Sequence, residues 1–181
     1  MVGAMSERLT RSRWIRHGLR TLADQGPQGL KVGPMAAGLK VSRGSFYWHF
    51  RDIGDFRAQL LSAWRERTTE RTIRELEAGA GPGRLALLLR RAMGVRRPLE
   101  RAVRAWAAQD PGVAAEVAAV DRRRTGYIAD LLREGGVAPE KAAQRAAFLY
   151  WAYLGQPQVM DPDTAGLSGA ALADIAALFE G

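Results

Sequence analysis

Apolar residues recur at intervals of three and four along most of the chain, with polar residues between them. This spacing places apolar side chains on one face of a helix, so it predicts α-helices. No segment shows the sustained apolar–polar alternation that is typical of a half-buried strand. Breakers at Gly26-Pro27 and in the glycine-rich run 79–83 mark where helices are predicted to end. The chain is therefore predicted to be all-α.

The same pattern gives the lengths of the helices. A first helix begins at Ser6 or Thr10, two short helices follow, and a long helix runs from Arg51 to about Ala78, roughly 40 Å. In total about nine helices are predicted, with a three-helix head joined by the long helix to a C-terminal bundle. The helices predicted for this bundle span residues 84–94, 99–109, 112–134 and 139–154, and after a loop over 155–166 a final helix begins at Ser168.

The two short helices lie between residues 33 and 50. Met35, Ala36 and Leu39 share one face of the first helix, and Ser42 is a suitable N-cap for the second. Two helices joined by so short a turn predict a helix-turn-helix motif, whose second helix enters the major groove of DNA.

The second short helix is crowded with aromatic residues. Phe46 and Phe50 are four positions apart and are predicted to point at the same core. For Trp48, burial in this core and contact with DNA are the two interpretations, and burial is favoured.

Positive charge is concentrated around this motif. Residues 1–51 carry nine basic and two acidic side chains, which gives +7 of the total formal charge of +8. Such an excess suits phosphate binding, because each neutralised phosphate releases counterions. Arg13, Arg16 and Arg20 lie on the polar face of the first helix, where they can approach a DNA backbone. The alternative is an arginine-rich surface that serves only solubility.

Composition argues against several other classes of protein. The chain has no cysteine, which excludes disulfides, thiolate nucleophiles and zinc–thiolate sites, and His17 and His49 are too few for a histidine metal cage. It shows neither a phosphate-binding P-loop nor the context of a serine hydrolase. It also shows no membrane-length apolar run and no secretory signal. We therefore expect a cytoplasmic protein that is not an enzyme and uses no metal or cofactor.

The helix-turn-helix stretch has a distinctive composition. It contains Met35-Ala36, the run from Val41 to Tyr47, and the ending Tyr47-x-His49-Phe50. In these residues the chain resembles the TetR family of bacterial transcriptional regulators, and the resemblance covers about the first 55 residues. It implies a homodimer in which residues 1–52 bind DNA and residues 53–181 form a helical domain for effector binding and dimerisation.

The roles of individual residues in DNA binding follow from chemistry and from the resemblance. Arg43, at the start of the second helix, can read guanine O6 and N7 or contact a phosphate. Ser45 can bond to a base edge or a phosphate, and Gly44 allows either a close backbone approach or close packing. The resemblance implies phosphate contacts for Tyr47 and His49, with burial in the core of the head as the alternative. The full predicted DNA-binding set is Lys40, Ser42, Arg43, Gly44, Ser45, Tyr47, Trp48, His49 and Arg51.

Two regions depart from the family pattern. Lys40 stands where a glycine is common, and a left-handed conformation there would cost a lysine about 1 kcal/mol, although its ammonium group can reach a phosphate. At Ile53 and Gly54 the family commonly has a lysine that contacts the DNA backbone, and the basic neighbour here is Arg51.

The C-terminal helices contain candidates for two further functions. An alanine stripe with nearby apolar residues suits a dimer interface, and large side chains with soft or polar groups suit an effector pocket, with ordinary core as the alternative for both. Residues 52–181 are nearly neutral, so a strongly charged ligand is not indicated, although Arg104 or Arg122–Arg124 could hold a carboxylate. The interface candidates are Ala143, Ala146, Ala147, Tyr150, Tyr153, Leu172, Ile175 and Phe179, and the pocket candidates are Trp64, Met93, Trp106, Tyr127 and Trp151.

Together these features predict a sequence-specific DNA-binding transcriptional regulator, a repressor that a small-molecule effector releases from its operator. One alternative is an effector-independent architectural or cell-division DNA-binding protein with the same head. Another is a small helical enzyme, for which the sequence offers no converging set of polar residues. The expected partners are an operator in double-stranded DNA, a second copy of the chain and a small-molecule effector.

Overall fold

The computed structural model describes residues 10–79, 81, 83–93, 97–159 and 166–181. Over these residues the chain is helical and contains no β-strand, which confirms the all-α prediction. None of the described helices is long and apolar enough to cross a membrane. In chain order the helices are α1 (Arg11–Gln25), α2 (Val32–Gly38), α3 (Gly44–Tyr47), α4 (Ile53–Arg65), α5 (Arg71–Ala78), α6 (Arg84–Met93), α7 (Pro98–Ala107), α8 (Pro111–Glu134), α9 (Pro139–Val159) and α10 (Gly169–Glu180).

A π-helical turn, Glu66–Glu70, joins α4 to α5, so the two form one continuous helix over residues 53–78. Counted in this way, the described ranges contain nine helices, in agreement with the sequence pattern. The predicted long helix is confirmed, whereas the π turn within it is not evident from the sequence. Such turns occur frequently at functional sites.

Some helix ends differ from the predicted ones. Arg43 is the N-cap residue of α3 and no side chain caps this helix, so the prediction that Ser42 caps it is wrong. Helix α9 continues to Val159, so the chain is still helical where the pattern predicts a loop. Three predicted features lie wholly or partly outside the described residues: the start of the chain with Ser6, the run 79–83 and the loop over 155–166.

The chain divides into two compact units. Unit 1 comprises Met1–Glu66 and Pro98–Val117, and unit 2 comprises Arg67–Arg97 and Ala118–Gly181. Each unit therefore combines two separate parts of the sequence. The two units are defined by which residues pack together. The boundary predicted after residue 52 instead separates DNA binding from effector binding and dimerisation.

In unit 1, α1 packs against α7 and α4. Trp14 and Leu22 from α1 and Phe56 and Leu60 from α4 are all fully buried. Burial of one such apolar side chain stabilises the fold by about 1.5–3 kcal/mol. This core can therefore order α2 and α3, which are too short to be stable on their own.

In unit 2, α6 packs against α10 and α9. The main core cluster contains Leu89 from α6, Leu132 from α8 and Leu172 from α10. A smaller cluster, which includes Leu76 and Leu131, joins α5 to α8. Helices α6, α8, α9 and α10 therefore share the main apolar core, whereas α7, which the sequence pattern also assigns to the C-terminal bundle, packs against α1 in unit 1.

Candidate nucleic-acid interface and candidate effector sites

The turn after α2 is a tight Schellman motif. The Val41 N–H donates to the Ala36 carbonyl and the Lys40 N–H to the Ala37 carbonyl, both at 3.0 Å. The residue after such a helix end usually adopts a left-handed conformation, and Lys40 has φ of +57°. This conformation is unfavourable for lysine by about 1 kcal/mol, so the strain considered for Lys40 from the sequence is present.

Phe46 holds α3 in place. Its side chain is fully buried, and its ring packs at a steep angle against the rings of Trp14 and Phe56, each 5.3 Å away. The buried Phe50 ring lies 5.0 Å from that of Phe46. Aromatic pairs of this kind add about 0.5–1.5 kcal/mol beyond their burial. The predicted burial of Phe46 and Phe50 is thus confirmed.

Two aromatic side chains project into solvent from the same motif. Tyr47 is 61% exposed and Trp48 is 84% exposed, so the favoured prediction that Trp48 is buried is wrong. Trp48 follows Phe46 by two residues, which is about 200° around a helix, and it therefore points away from the core. Exposed apolar surface next to polar residues is typical of an interaction site.

The other predicted DNA-binding residues also reach the surface. A Cβ atom at Gly44 would have Ser42 Oγ as its nearest neighbour, at 3.7 Å, so packing does not require glycine here. The motif therefore presents an open surface around α3. Lys40, Ser42, Arg43, Gly44 and Arg51 are exposed, and Ser45 and His49 are partly buried.

The Arg43 side chain folds back onto the start of α2. Its Nη2 and Nε atoms lie 3.1 and 3.3 Å from the position that a Cβ atom of Gly33 would occupy. A larger residue at position 33 would therefore displace the guanidinium. The sequence gives no sign of this contact, because Gly33 and Arg43 are separated by α2 and the turn.

A reciprocal pair of caps joins the motif to the long helix. The Asp52 carboxylate accepts a hydrogen bond from the Asp55 N–H at 2.7 Å, and the Asp55 carboxylate accepts one from the Arg51 N–H at 3.0 Å. The Asp55 N–H is the main cause that lowers the pKa of Asp52, and the Gln59 side chain is the main cause that lowers the pKa of Asp55. Both carboxylates are therefore ionised near neutral pH and favour the start of a helix.

A second basic surface lies on α1. Arg13, Arg16 and Arg20 are exposed, as predicted from their helical spacing. His17 packs on α2, with its Nε2 3.1 Å from where a Cβ atom of Gly38 would be. Burial, and then the charge of Arg20, lower the pKa of His17, so the imidazole is neutral at pH 7.

Two of the five predicted pocket residues, Trp64 and Trp106, belong to unit 1. The Trp64 indole is fully buried and donates a hydrogen bond from Nε1 to the Glu100 carboxylate at 3.2 Å. Glu100 is also buried and pairs with Arg104 at 2.9 Å. The desolvation of a buried ion pair offsets much of its attraction, so this cluster is a candidate for recognition of a polar ligand rather than a large source of stability.

Trp106 lines an open groove of about 470 Å³ within unit 1. Residues along the length of α4, near the end of α7 and at the start of α8 form its walls. The groove carries charges of both signs, including Arg57, whose guanidinium lies 5.9 Å from the Trp106 ring, and Asp110. Because charges of both signs line the groove, it favours neither an anionic nor a cationic ligand.

The other three predicted pocket residues belong to unit 2. Met93 is half-buried against the main core, and Tyr127 is buried, with no hydrogen-bond partner for its hydroxyl among the described residues. Burial raises the pKa of Tyr127. Trp151 is 68% exposed, so its assignment to an internal pocket is wrong.

Unit 2 contains a polar network at the π turn. Arg124 donates from Nε to the Thr69 hydroxyl at 2.8 Å and from Nη2 to the Thr68 hydroxyl at 2.9 Å. The Tyr150 hydroxyl, 3.4 Å from Arg124 Nη1, donates to the Asp121 carboxylate at 2.6 Å. Of these residues, the sequence indicates Arg124 as a possible carboxylate ligand and Tyr150 as part of an interface.

Arg97 extends this network. Its guanidinium lies over the Tyr153 ring, with Cζ 3.9 Å from the ring centroid. Arg97 Nη2 donates to the Tyr153 carbonyl and to the Gln156 side-chain carbonyl, both at 2.9 Å. Tyr153 in turn stacks on Tyr150 at 5.6 Å. Arg97 is not predicted from the sequence, since nothing in its local pattern distinguishes it from a solvated arginine.

The predicted interface residues divide between core and surface. Ala146, Tyr150 and Leu172 are buried in the main core of unit 2, which corrects their assignment to a dimer interface in favour of the core alternative. Among the other candidates, Ala143 is exposed, and Ala147, Tyr153, Ile175 and Phe179 are partly exposed. Three strongly exposed apolar residues on α9 and α10 were not among the predicted interface residues: Phe148, Trp151 and Leu178.

Comparison with known proteins gives a likeness in fold. No protein-family model matches the chain, and no curated protein sequence matches it. The fold is similar to the crystal structure of a proposed transcriptional regulator from Saccharomonospora viridis in complex with choline. The TM-score is 0.68 at 18% sequence identity, over 93% of this chain and 94% of the other. The two proteins therefore share a fold along nearly their whole lengths.

Proposed function

We propose that this chain is a sequence-specific DNA-binding transcriptional regulator of the TetR type, a homodimeric repressor that a small-molecule effector releases from its operator. In this proposal residues 1–52 bind DNA, and residues 53–181 bind the effector and form the dimer. The observation that carries it is the exposed face of α3. Phe46 anchors this helix from inside, while Tyr47 and Trp48 project from it into solvent.

Recognition of DNA would begin with electrostatic contacts. Lys40 and Arg51 flank α3 and are exposed, which supports contacts with phosphates on either side of the major groove. Arg43 lies at the start of α3, the position from which recognition helices contact bases. The exposed Tyr47 hydroxyl and Trp48 ring supply a hydrogen-bond donor and an apolar surface in the same motif.

Dimerisation would place two such helices on one side of the duplex. Successive major grooves are about 34–36 Å apart, so a symmetric dimer can occupy both. The exposed apolar residues Phe148 and Trp151 on α9 and Leu178 on α10 support an interface between these two helices and their copies. Ala143 is also exposed on α9 and would allow a partner helix to come close.

Effector binding is supported by the polar clusters inside the helical domain. An architectural protein without an effector would be expected to have an apolar core, whereas Glu100 and Arg124 lie within networks of hydrogen bonds. The structurally similar regulator was crystallised with choline, which supports a ligand-binding role for this fold. The proposed regulator would couple such a ligand to DNA affinity by a differential binding energy of about 1–3 kcal/mol.

Selection of bound genomic fragments by the purified protein tests this proposal. We expect a small number of enriched sites with two-fold symmetry, and enrichment of many unrelated sites would instead favour the architectural alternative. A mobility shift with an enriched fragment then compares Tyr47→Ala, which should weaken binding, with Arg71→Ala. Arg71 is an exposed arginine on α5, paired with Glu75 at 3.6 Å, and serves as the control.

Salt dependence separates the two roles of Arg43. If Arg43 contacts a phosphate, Arg43→Ala should weaken binding to all sequences and reduce the salt slope by about one. If Arg43 reads a guanine, the loss should be about 1–3 kcal/mol and confined to sites with that base. Unchanged affinity would contradict the assignment of α3 as the recognition helix.

A further inference from the structure

We infer that the polar network of unit 2 is a binding site for a small organic carboxylate, which Arg97 and Arg124 hold beside the Tyr153 ring. This inference rests on the proposed function and deepens it, because it names the chemical class of the effector. It departs from the sequence expectation of a ligand without strong charge. Net charge averages over the whole domain, whereas a binding site depends on which charges lie together.

Arg97 carries a charge that the described residues leave without a carboxylate partner. Its acceptors are the Tyr153 carbonyl and the Gln156 amide oxygen, which are both neutral. Its Nε is buried and makes no hydrogen bond within the described part of the chain. A buried N–H donor without an acceptor is unfavourable. A carboxylate would supply both the opposite charge and the missing acceptor.

Arg124 provides a second guanidinium near the same ring. Its Cζ lies 5.8 Å from the Tyr153 centroid, and that of Arg97 lies 3.9 Å from it, so the two are no more than about 10 Å apart. The hydroxyls of Thr68 and Thr69 fix the Arg124 side chain from the π turn. A group held in advance loses little conformational freedom when a ligand binds. The π turn therefore serves to position a ligand-binding arginine.

The stacked rings of Tyr150 and Tyr153 provide an apolar surface for the body of the ligand. The charged side chains named in this network are the guanidinium groups of Arg97 and Arg124 and the carboxylate of Asp121. Together these three groups carry a net positive charge. This charge favours an anion and disfavours a quaternary ammonium ion.

Calorimetric titration of the full chain, without DNA, tests this inference. The probes are benzoate and hexanoate, and the controls are benzamide, hexanamide and tetramethylammonium. We expect a carboxylate to bind, and its amide and the ammonium ion to bind at least about tenfold more weakly, because charge-assisted hydrogen bonds are roughly twice as strong as neutral ones. Equal affinity for a carboxylate and its amide, or no heat from either carboxylate at millimolar concentration, overturns the inference.

Matched variants locate the site. Arg97→Gln should lower the carboxylate affinity about tenfold or more, and Arg97→Lys should retain part of it through its charge. Arg91→Gln is the control, since Arg91 is an arginine of the same unit that pairs with Glu75 at 3.0 Å. Carboxylate affinity that is unchanged in both Arg97 variants overturns the inference.

Thermal unfolding without ligand separates binding from a structural role. If Arg97 serves a ligand, Arg97→Gln should unfold at about the same temperature as the wild type, because the variant loses two hydrogen bonds but also removes the buried Nε donor that has no acceptor within the described residues. The inference is overturned if the Tm of Arg97→Gln falls by a large amount while Arg97→Lys and Arg97→Gln still bind carboxylates more tightly than amides. If the protein binds carboxylates but does not bind DNA, the inference about this site holds and only the proposed regulatory role is contradicted.

Discussion

The Phe56 ring lies against the bare Cα atom of Gly18, so that a Cβ atom at position 18 would be 2.5 Å from Phe56 Cζ. Leu60 Cδ2 would be 2.9 Å from the same atom. Both neighbours are fully buried and have no room to withdraw. Glycine is therefore required at position 18 because there is no space for a Cβ atom. The absence of a side chain allows α1 and α4 to approach closely.

Gly18→Ala should consequently lower the free energy of unfolding by about 1–3 kcal/mol, the usual range for an overpacked core. Gly126→Ala is the control, because outside its own helix no atom lies within 4 Å of the added Cβ. Alanine is the better helix former, so this control should raise stability by up to about 1 kcal/mol. Urea unfolding measures both, and an unchanged midpoint for Gly18→Ala would contradict the close contact with Phe56.

A second prediction concerns the left-handed residue in the turn. Lys40→Gly and Lys40→Ala remove the same charge, but only glycine adopts φ of +57° without strain. We expect Lys40→Gly to be more stable than Lys40→Ala by about 1 kcal/mol in urea unfolding. Both variants should bind DNA more weakly to a similar degree, because both lose the ammonium group. Equal stability of the two variants would show that the turn relaxes.

A third prediction concerns pH and the cap of α4. Because the pKa of folded Asp52 lies below its ordinary value, the ionised carboxylate favours the folded state. This contribution is present above the ordinary pKa of about 3.9 and is lost as the pH falls through the folded-state pKa. Asp52→Asn keeps an oxygen for the cap but cannot titrate.

The free energy of unfolding should therefore be higher for wild type than for Asp52→Asn at about pH 6, and the difference should shrink below about pH 3. Urea unfolding at a series of pH values measures it. Asp55 is present in both proteins, so its own titration cancels to first order. A difference that stays constant across this range would mean that the charge of Asp52 does not matter.

The two exposed tryptophans provide a fourth test. Trp48→Ala should weaken operator binding about tenfold or more and leave sedimentation unchanged, since Trp48 projects from the motif around α3. Trp151→Ala should weaken the dimer, and its loss of DNA binding should be recovered at higher protein concentration. The same phenotype for both variants would contradict the separate roles proposed for these two surfaces.

The sequence predicts the inward positions of this fold well where apolar and polar residues contrast. It fails for Trp48, because residues 46–50 are all aromatic and nothing in their polarity marks the outer face. It fails in the same way on α9, which is largely apolar around its circumference. There Ala146 and Tyr150 face the core while Trp151 faces solvent, and only the neighbouring helices decide which side is buried.

The polar network of unit 2 illustrates a different limit. The hydrogen bonds from Arg124 to Thr68 and Thr69 join residues that are 56 and 55 positions apart, and Arg97 meets Gln156 across 59. No local periodicity can report such pairs. The π turn, which is stabilised by these contacts, is hidden for the same reason.

Helix α3 consists of the four residues Gly44–Tyr47 and is far too short to be stable on its own. Its shape is set by Phe46 and the rings around it, so α3 can open only when this cluster opens. We expect its backbone amides to exchange with deuterium at the rate of the surrounding core rather than at that of a surface loop. A mutation that loosens Trp14 or Phe56 will therefore disorder the surface proposed to meet DNA, although neither residue is part of it.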